Sequence, residues 1–287
     1  MPVDLILHDT KLYTSGKLVE AGLAIEKGKI FKIAKETNLP QASAKLDLKG
    51  QIILPGLIDV HVHLRDQQLA YKEDFFTGTC AAAAGGVTLA IDMPNNKPVT
   101  MGSKSLKARM SLAETRAVVN VGFYSAFPEN LDEVSSIVRE GAVAFKLFLS
   151  QKIGGLNITD DDALSCAFDK VAEMSVPVAV HAEDMETLEN VREMMQRAGR
   201  KDLEAYLKVH SLAAETKSIR RVIRLVKKSG VHIHFCHISS SSGLKDFLKA
   251  KKMGLPVTCE VTPHHLLLSS KDLKHYSTLA LTDPPVR

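Results

Sequence analysis

Two histidines, His61 and His63, stand at alternate positions at the end of the apolar run QIILPGLIDVHVHL, with Arg65 and Asp66 directly behind. Side chains two apart on a strand share a side, so both imidazoles can reach one ion. An HxH pair alone also suits a half-buried strand. Here Ile52, Ile53, Leu54, Leu57 and Ile58 are apolar enough to predict a parallel strand buried on both faces. Pro55 and Gly56 fall near its start, where lost ladder bonds are tolerable. The histidines then lie at the strand's C-terminal end, where α/β barrels and open α/β sheets place their chemistry.

The ends of later apolar runs supply further candidates. His181 closes VPVAV and precedes Ala182, Glu183 and Asp184. VHIHFCHI holds three histidines: His232 and His234 share one face and read as structural, facing helices or lying deeper. His237 lies nearest the Ser239–Ser242 loop and is the candidate ligand. Lys146 interrupts AVAFKLFL, where an unpaired ammonium carries a heavy desolvation cost. A lysine there either snorkels out or is held as a neutral amine, which can add carbon dioxide and bridge two metals as a carbamate. The nearby histidines favour the bridge. Asn95, after DMP, offers a donor and an acceptor to a small polar ligand, or is an ordinary turn residue. His264 and His265 read as packing or supporting groups. Gly154 and Gly155 read as a flexible loop, since no phosphate-cradling pattern follows a strand there.

The elements that must carry these residues follow from pattern. Residues 1–51 alternate in short segments between glycine turns, which predicts a small antiparallel β domain. From residue 52 to 287, apolar runs at 87–93, 118–124, 142–149, 176–182, 231–238 and 256–261 alternate with helical stretches, the signature of parallel βα units. Ser103 is the expected N-cap of a helix to Thr115. Asp160, Asp161 and Asp162 open a helix running to Glu173. Two further helices are expected over 187–199 and 210–228. With the first strand this makes about seven units, one short of a closed eight-stranded barrel.

Composition narrows the functional classes. The 287 residues are 45% hydrophobic, and 37 basic against 33 acidic side chains give a net charge of +4. The basic residues are scattered, which argues against nucleic-acid binding. A small molecule is the expected partner. Four cysteines without CxxC spacing suggest packed, reduced thiols and a cytoplasmic home. There is no membrane-length apolar stretch or secretory segment, so no membrane role is expected.

The ordered segments PGLIDVHVHLRD, YKED, AAAAGGVT, DMPNN, FKLFL, HAED, CHIS and TCEVTPHH resemble the cyclic amidohydrolases, most closely the dihydroorotase family. The resemblance runs from the start to Arg287. It implies a metal-dependent TIM-like (β/α) barrel, incomplete at its C-terminus, beside a small β-sandwich-type domain. It aligns His61, His63, Lys146, His181 and His237 with metal ligands: two zinc ions bridged by a carboxylated Lys146. Arg65 and Asn95 match substrate-carboxylate positions. The implied reaction is the reversible interconversion of L-dihydroorotate and N-carbamoyl-L-aspartate in pyrimidine biosynthesis. Allantoinase and dihydropyrimidinase or hydantoinase are the alternatives within the family, and a non-catalytic dihydroorotase-like subunit is another. A homo-oligomer, or association with aspartate transcarbamoylase, is the expected assembly. Gln67 and Gln68 replace the family's Pro-Gly, and Asp283 stands where Asn is usual. The family's acid/base aspartate, in an Asp-His-Ala-Pro-like segment, has no match up to Arg287. That leaves no catalytic acid/base identified and predicts a truncated barrel.

Overall fold

The computed structural model describes residues 2–287, and the chain divides after Leu57 into two compact units. The first contains one five-stranded sheet. Its strands are β1 (Val3–Thr14), β2 (Lys17–Glu20), β3 (Gly22–Glu26), β4 (Lys29–Ala34) and β5 (Ala42–Ile53). Two-residue turns at Ser15–Gly16 and Lys27–Gly28, with positive φ throughout, join β1 to β2 and β3 to β4. Such turns match the twist of the strands they connect. The first four strands pair antiparallel, whereas β5 pairs β1 in parallel and places Ile52 and Ile53 opposite Lys11 and Leu12.

That pairing corrects the expectation of one strand from Ile52 onward. Ile52 and Ile53 belong to the N-terminal sheet, and a new strand, β6 (Leu57–Val62), begins after Pro55 and Gly56. The later units are α1 (Phe75–Ala84), β7 (Val87–Asp92), α2 (Ser103–Arg116), β8 (Asn120–Ala126), α3 (Val134–Glu140), β9 (Ala142–Phe148), α4 (Asp161–Ala172) and β10 (Val178–His181). Then come α5 (Met185–Arg197), α6 (Leu203–Val209), α7 (Leu212–Ser229), β11 (Ile233–Phe235), α8 (Ser241–Lys252), β12 (Val257–Cys259), α9 (Pro263–Leu267) and α10 (Ser270–Tyr276). Strands β6 to β12 form one curled parallel sheet in sequence order, seven strands of an incomplete barrel.

Alternation along these strands separates core from site. Phe145, Leu147, Val178, Val180, Ile233 and Phe235 pack with Leu164, Phe168, Ile219 and Val222 of α4 and α7. The opposite face carries Tyr124, Ala144, Ala179 and Cys236, a smaller cluster, together with Lys146. Small residues there leave room for long polar ones.

β6 departs from expectation. It is the edge of the sheet, and Leu57, Ile58 and Val60 are 58, 60 and 38% exposed instead of buried on both faces. β7 is its neighbour in the sheet, and no second strand flanks it among the described residues.

Two helix starts also differ. Gly102 caps α2 without a side-chain bond, leaving Ser103 inside the first turn. The expected helix from His210 starts at Leu212 behind a Ser211 cap, and α6 stands apart from it. Gly154 and Gly155 are packed closely: a Cβ at either would meet the backbone of Phe127 or Glu129 within 2.7 Å. The thiols are unpaired, but Cys166 is exposed and not packed as expected. No helix among the described residues is long and apolar enough to cross a membrane.

Candidate metal centre

The histidines picked from strand ends come together at the C-terminal end of the parallel sheet. The His61 ring lies 5.3 Å from those of both His63 and His237, and His237 lies 4.8 Å from His181. His181 Nδ1 and His237 Nε2 approach to 3.2 Å. Four imidazoles, from β6 and the residue just past it, from β10 and from the loop after β11, thus form one continuous series. Burial pushes the ordinary pKa of His61 down, and those of His63 and His237 well down. Neutral rings keep a lone pair free, the state a metal ligand needs.

Lys146 does not snorkel. It is 1% exposed, its Nζ donates to Cys236 Sγ at 2.8 Å, and it lies 5.1 Å from the Phe148 ring centre. Burial pushes the Cys236 thiol up to about 11, so the sulfur accepts as a neutral thiol. The donor atoms of His61, Cys236 and Glu260 all lie within 4.8 Å of one another.

Several groups around the histidines escaped sequence reasoning. Glu260, just past β12, takes His61 Nδ1 on one oxygen and His234 Nε2 at 3.2 Å on the other. It also accepts the backbone N–H of His237, whose φ of 34° is left-handed. That bond helps to hold a conformation a non-glycine residue rarely adopts. Burial pushes the Glu260 carboxyl up, but the bonds from His234 and His61 outweigh it and hold it below the usual range. Its position at the end of PVTCEV, matching that of His181 after VPVAV, was the signal available. His234 lies on the inner face, as the deeper of the two placements expected for it.

On the β6 side, His63 Nδ1 is 2.7 Å from Asn95 Oδ1, and Arg65 donates to the Asn95 carbonyl at 3.1 Å. Asn95 therefore braces both neighbours, and its Oδ1 is engaged by His63. Arg65, Asp66 and Gln67 all have φ near +50°. Such a tight turn of non-glycine residues needs support, and buried Asp66 supplies it by accepting from Gln67 N, Phe75 N and Arg116. Gln67 Oε1 in turn accepts from Arg109 at 3.4 Å.

A cavity of about 460 Å³ opens over His61, His63 and His237, lined also by Asp59, Glu260, Thr262, His264, His265 and Asp283. His265 is held by Thr262 Oγ1 at 2.6 Å and the Pro284 carbonyl at 3.1 Å, which makes it a wall group. Asp283 Oδ1 is 3.8 Å from His210 Nδ1.

Residues 52–275 match the model described as the amidohydrolase family. Among curated relatives, a dihydroorotase of Methanosarcina mazei is 32% identical over 291 residues, covering 99% of this chain and 63% of the relative. One from Methanothermobacter thermautotrophicus is 35% identical over 267 residues, covering 92% and 58%. An allantoinase of Salmonella choleraesuis is 32% identical over 295 residues, covering 100% and 64%. Among solved structures, an L-hydantoinase (dihydropyrimidinase) from Arthrobacter aurescens superposes with a TM-score of 0.92 at 28% identity, covering 99% of this chain and 64% of that one. The chain thus spans somewhat less than two thirds of these relatives' lengths.

Proposed function

We propose, because the chain belongs to the amidohydrolase family, that the protein is a metal-dependent hydrolase of cyclic amides, and specifically a dihydroorotase. Its reaction would be the reversible interconversion of L-dihydroorotate and N-carbamoyl-L-aspartate in cytoplasmic pyrimidine biosynthesis. The observation that carries this reading is the convergence of His61, His63, His181 and His237 with buried Lys146 at one end of the parallel sheet. The donor set fits a divalent metal: four converging imidazoles, those of His61, His63 and His237 kept neutral by burial, and a lysine on the inner face. Nitrogen-rich sites of this kind suit zinc.

His61, His63, His181 and His237 would hold the metal ions, and a carbamate on Lys146 would add two oxygen donors. To form it, the Nζ lone pair would add to the carbon of carbon dioxide: a C–N bond forms, one C=O π pair moves onto oxygen, and the proton the nitrogen gives up passes to solvent. Metal ions held there would supply Lewis acidity toward the ring amide carbonyl and would lower the pKa of a water. The protein's own groups bind and orient. The Arg65 guanidinium matches a carboxylate with two parallel hydrogen bonds. Asn95, with Oδ1 engaged by His63, retains Nδ2 to donate to the same carboxylate.

The dihydroorotase relatives support this substrate, while the allantoinase relative and the hydantoinase structure support allantoin or a dihydropyrimidine as the second reading. The test is a metal-quantified assay of the purified protein with dihydroorotate, allantoin and dihydrouracil. We expect turnover of dihydroorotate, with Arg65→Met raising KM for it. Faster opening of either uncharged ring would move the assignment to that substrate. Metal binding without turnover of any ring would point to a non-catalytic subunit, to be sought in complex with aspartate transcarbamoylase.

A further inference from the structure

Arg287 lies between two buried carboxylates. Its Nη2 donates to Glu183 Oε1 at 3.0 Å, its Nη1 to the carbonyl of His210, and its Nε to Ser239 Oγ at 2.7 Å. The same Nε is 3.6 Å from Glu215 Oε2. Side-chain exposure is 9% for Arg287, 2% for Glu183 and 4% for Glu215. Charges so far from water persist only when paired and hydrogen-bonded.

Glu183 binds the ring of His181 at the end of β10, and Glu215 holds the loop that carries His237. Glu183 Oε2 accepts from His181 Nε2 and from His210 Nδ1, both at 3.0 Å. Glu215 accepts the backbone N–H and the hydroxyl of both Ser239 and Ser240, two and three residues after His237. The fit is close enough that a Cβ at Gly243 would meet Glu215 Oε1 at 2.4 Å. One guanidinium therefore ties the loop after β10 to the loop after β11.

We infer that Arg287, Glu183 and Glu215 form a positioning clamp that sets the orientation of His181 and His237 toward a divalent metal, an inference that rests on the metal-centre reading above. A carboxylate only accepts, so His181 Nε2 donates to Glu183 and Nδ1 keeps the lone pair. That Nδ1 faces His237 Nε2 at 3.2 Å, so both rings are aimed at one locus. Outer carboxylates that fix the tautomer and angle of a ligating histidine raise its metal affinity.

The experiment is a titration of Co²⁺ into the wild-type protein and into Glu183→Gln and Arg287→Lys, followed by visible absorption, with thermal melting recorded without metal. Glutamine keeps the volume of Glu183 but offers one acceptor oxygen and sets an NH₂ against one of its three donors. Lysine keeps the charge of Arg287 but cannot span Glu183, His210 and Ser239 together. We expect Glu183→Gln to weaken Co²⁺ binding about 10- to 100-fold and to change the absorption bands, with Arg287→Lys acting in the same direction. Asp246→Asn serves as control, because that buried carboxylate pairs with Arg220 and Lys249 away from the histidines. It should leave affinity and spectrum unchanged. A wild-type protein that takes up no Co²⁺ overturns the metal-centre reading and the clamp together. Wild-type binding matched in affinity and spectrum by Glu183→Gln and Arg287→Lys overturns the clamp alone. Equal weakening by Asp246→Asn does so too, by showing that general destabilisation suffices.

Discussion

β9 and β6 each bring chemistry to the same end of the same sheet, yet they hold it by different means. β9 lies between β8 and β10 and is buried along almost its whole length, so Lys146 is fixed by Phe145 and Leu147 packing behind it and by Cys236 in front. β6 lies at the edge with Leu57, Ile58 and Val60 exposed, and His61 and His63 at its end are fixed by polar cross-links instead. His61 is tied to Glu260 and His63 to Asn95, while the N–H of Leu64 donates to Asp92 at 2.9 Å. Close packing fixes a side chain without directional bonds. An edge strand must use hydrogen bonds, and these gain strength where the ring end is dry.

The contrast can be broken at the polar anchor first. Arg109 is 1% exposed, grips Asp92 through Nε and Nη2 at 3.0 and 2.8 Å, and stacks over Phe75. Arg109→Ala leaves the Asp92 carboxylate buried and unpaired, and should cost about 3–5 kcal/mol in a denaturant unfolding curve. A loss below about 1 kcal/mol would mean that the edge does not depend on this pair. Leu147→Ala in β9 should cost about 2–5 kcal/mol by the same measurement, because a well-packed site collapses poorly around the void. Asn95→Ala removes the brace on His63 and should weaken Co²⁺ binding about 10- to 100-fold with little change in melting temperature. Unaltered affinity would mean that His63 is oriented by its backbone alone. The smallest effect belongs to Ile58→Ala on the exposed edge, expected within about 0.5 kcal/mol. A larger loss would show that β6 is covered in solution.

The strands and their order were legible because each apolar run sits between turn residues and helical stretches, so that local pattern and βα connectivity agree. Asp160 caps α4 because a carboxylate there accepts a free helix N–H, and that too is local. Exposure of β6 was not legible in its own residues, although a seven-stranded open sheet implies uncovered edges. Leu57, Ile58 and Val60 have the hydropathy of a central strand, and only sheet order reveals that β6 is at an edge.

From sequence alone came the parallel βα architecture, the histidines and lysine at strand ends, and the resemblance to cyclic amidohydrolases, since all of these depend on residue type and on spacing along the chain. The tertiary structure alone decided that Ile52 and Ile53 join the N-terminal sheet, that Lys146 is buried against Cys236, and that Glu260, Glu183 and Arg287 brace the histidines. The physical reason is separation: His61 and Glu260 are 199 residues apart, and Glu183 and Arg287 are 104 apart. A hydrogen bond at such a distance leaves no periodicity in the sequence, and it exists only once the sheet has curled the two ends together.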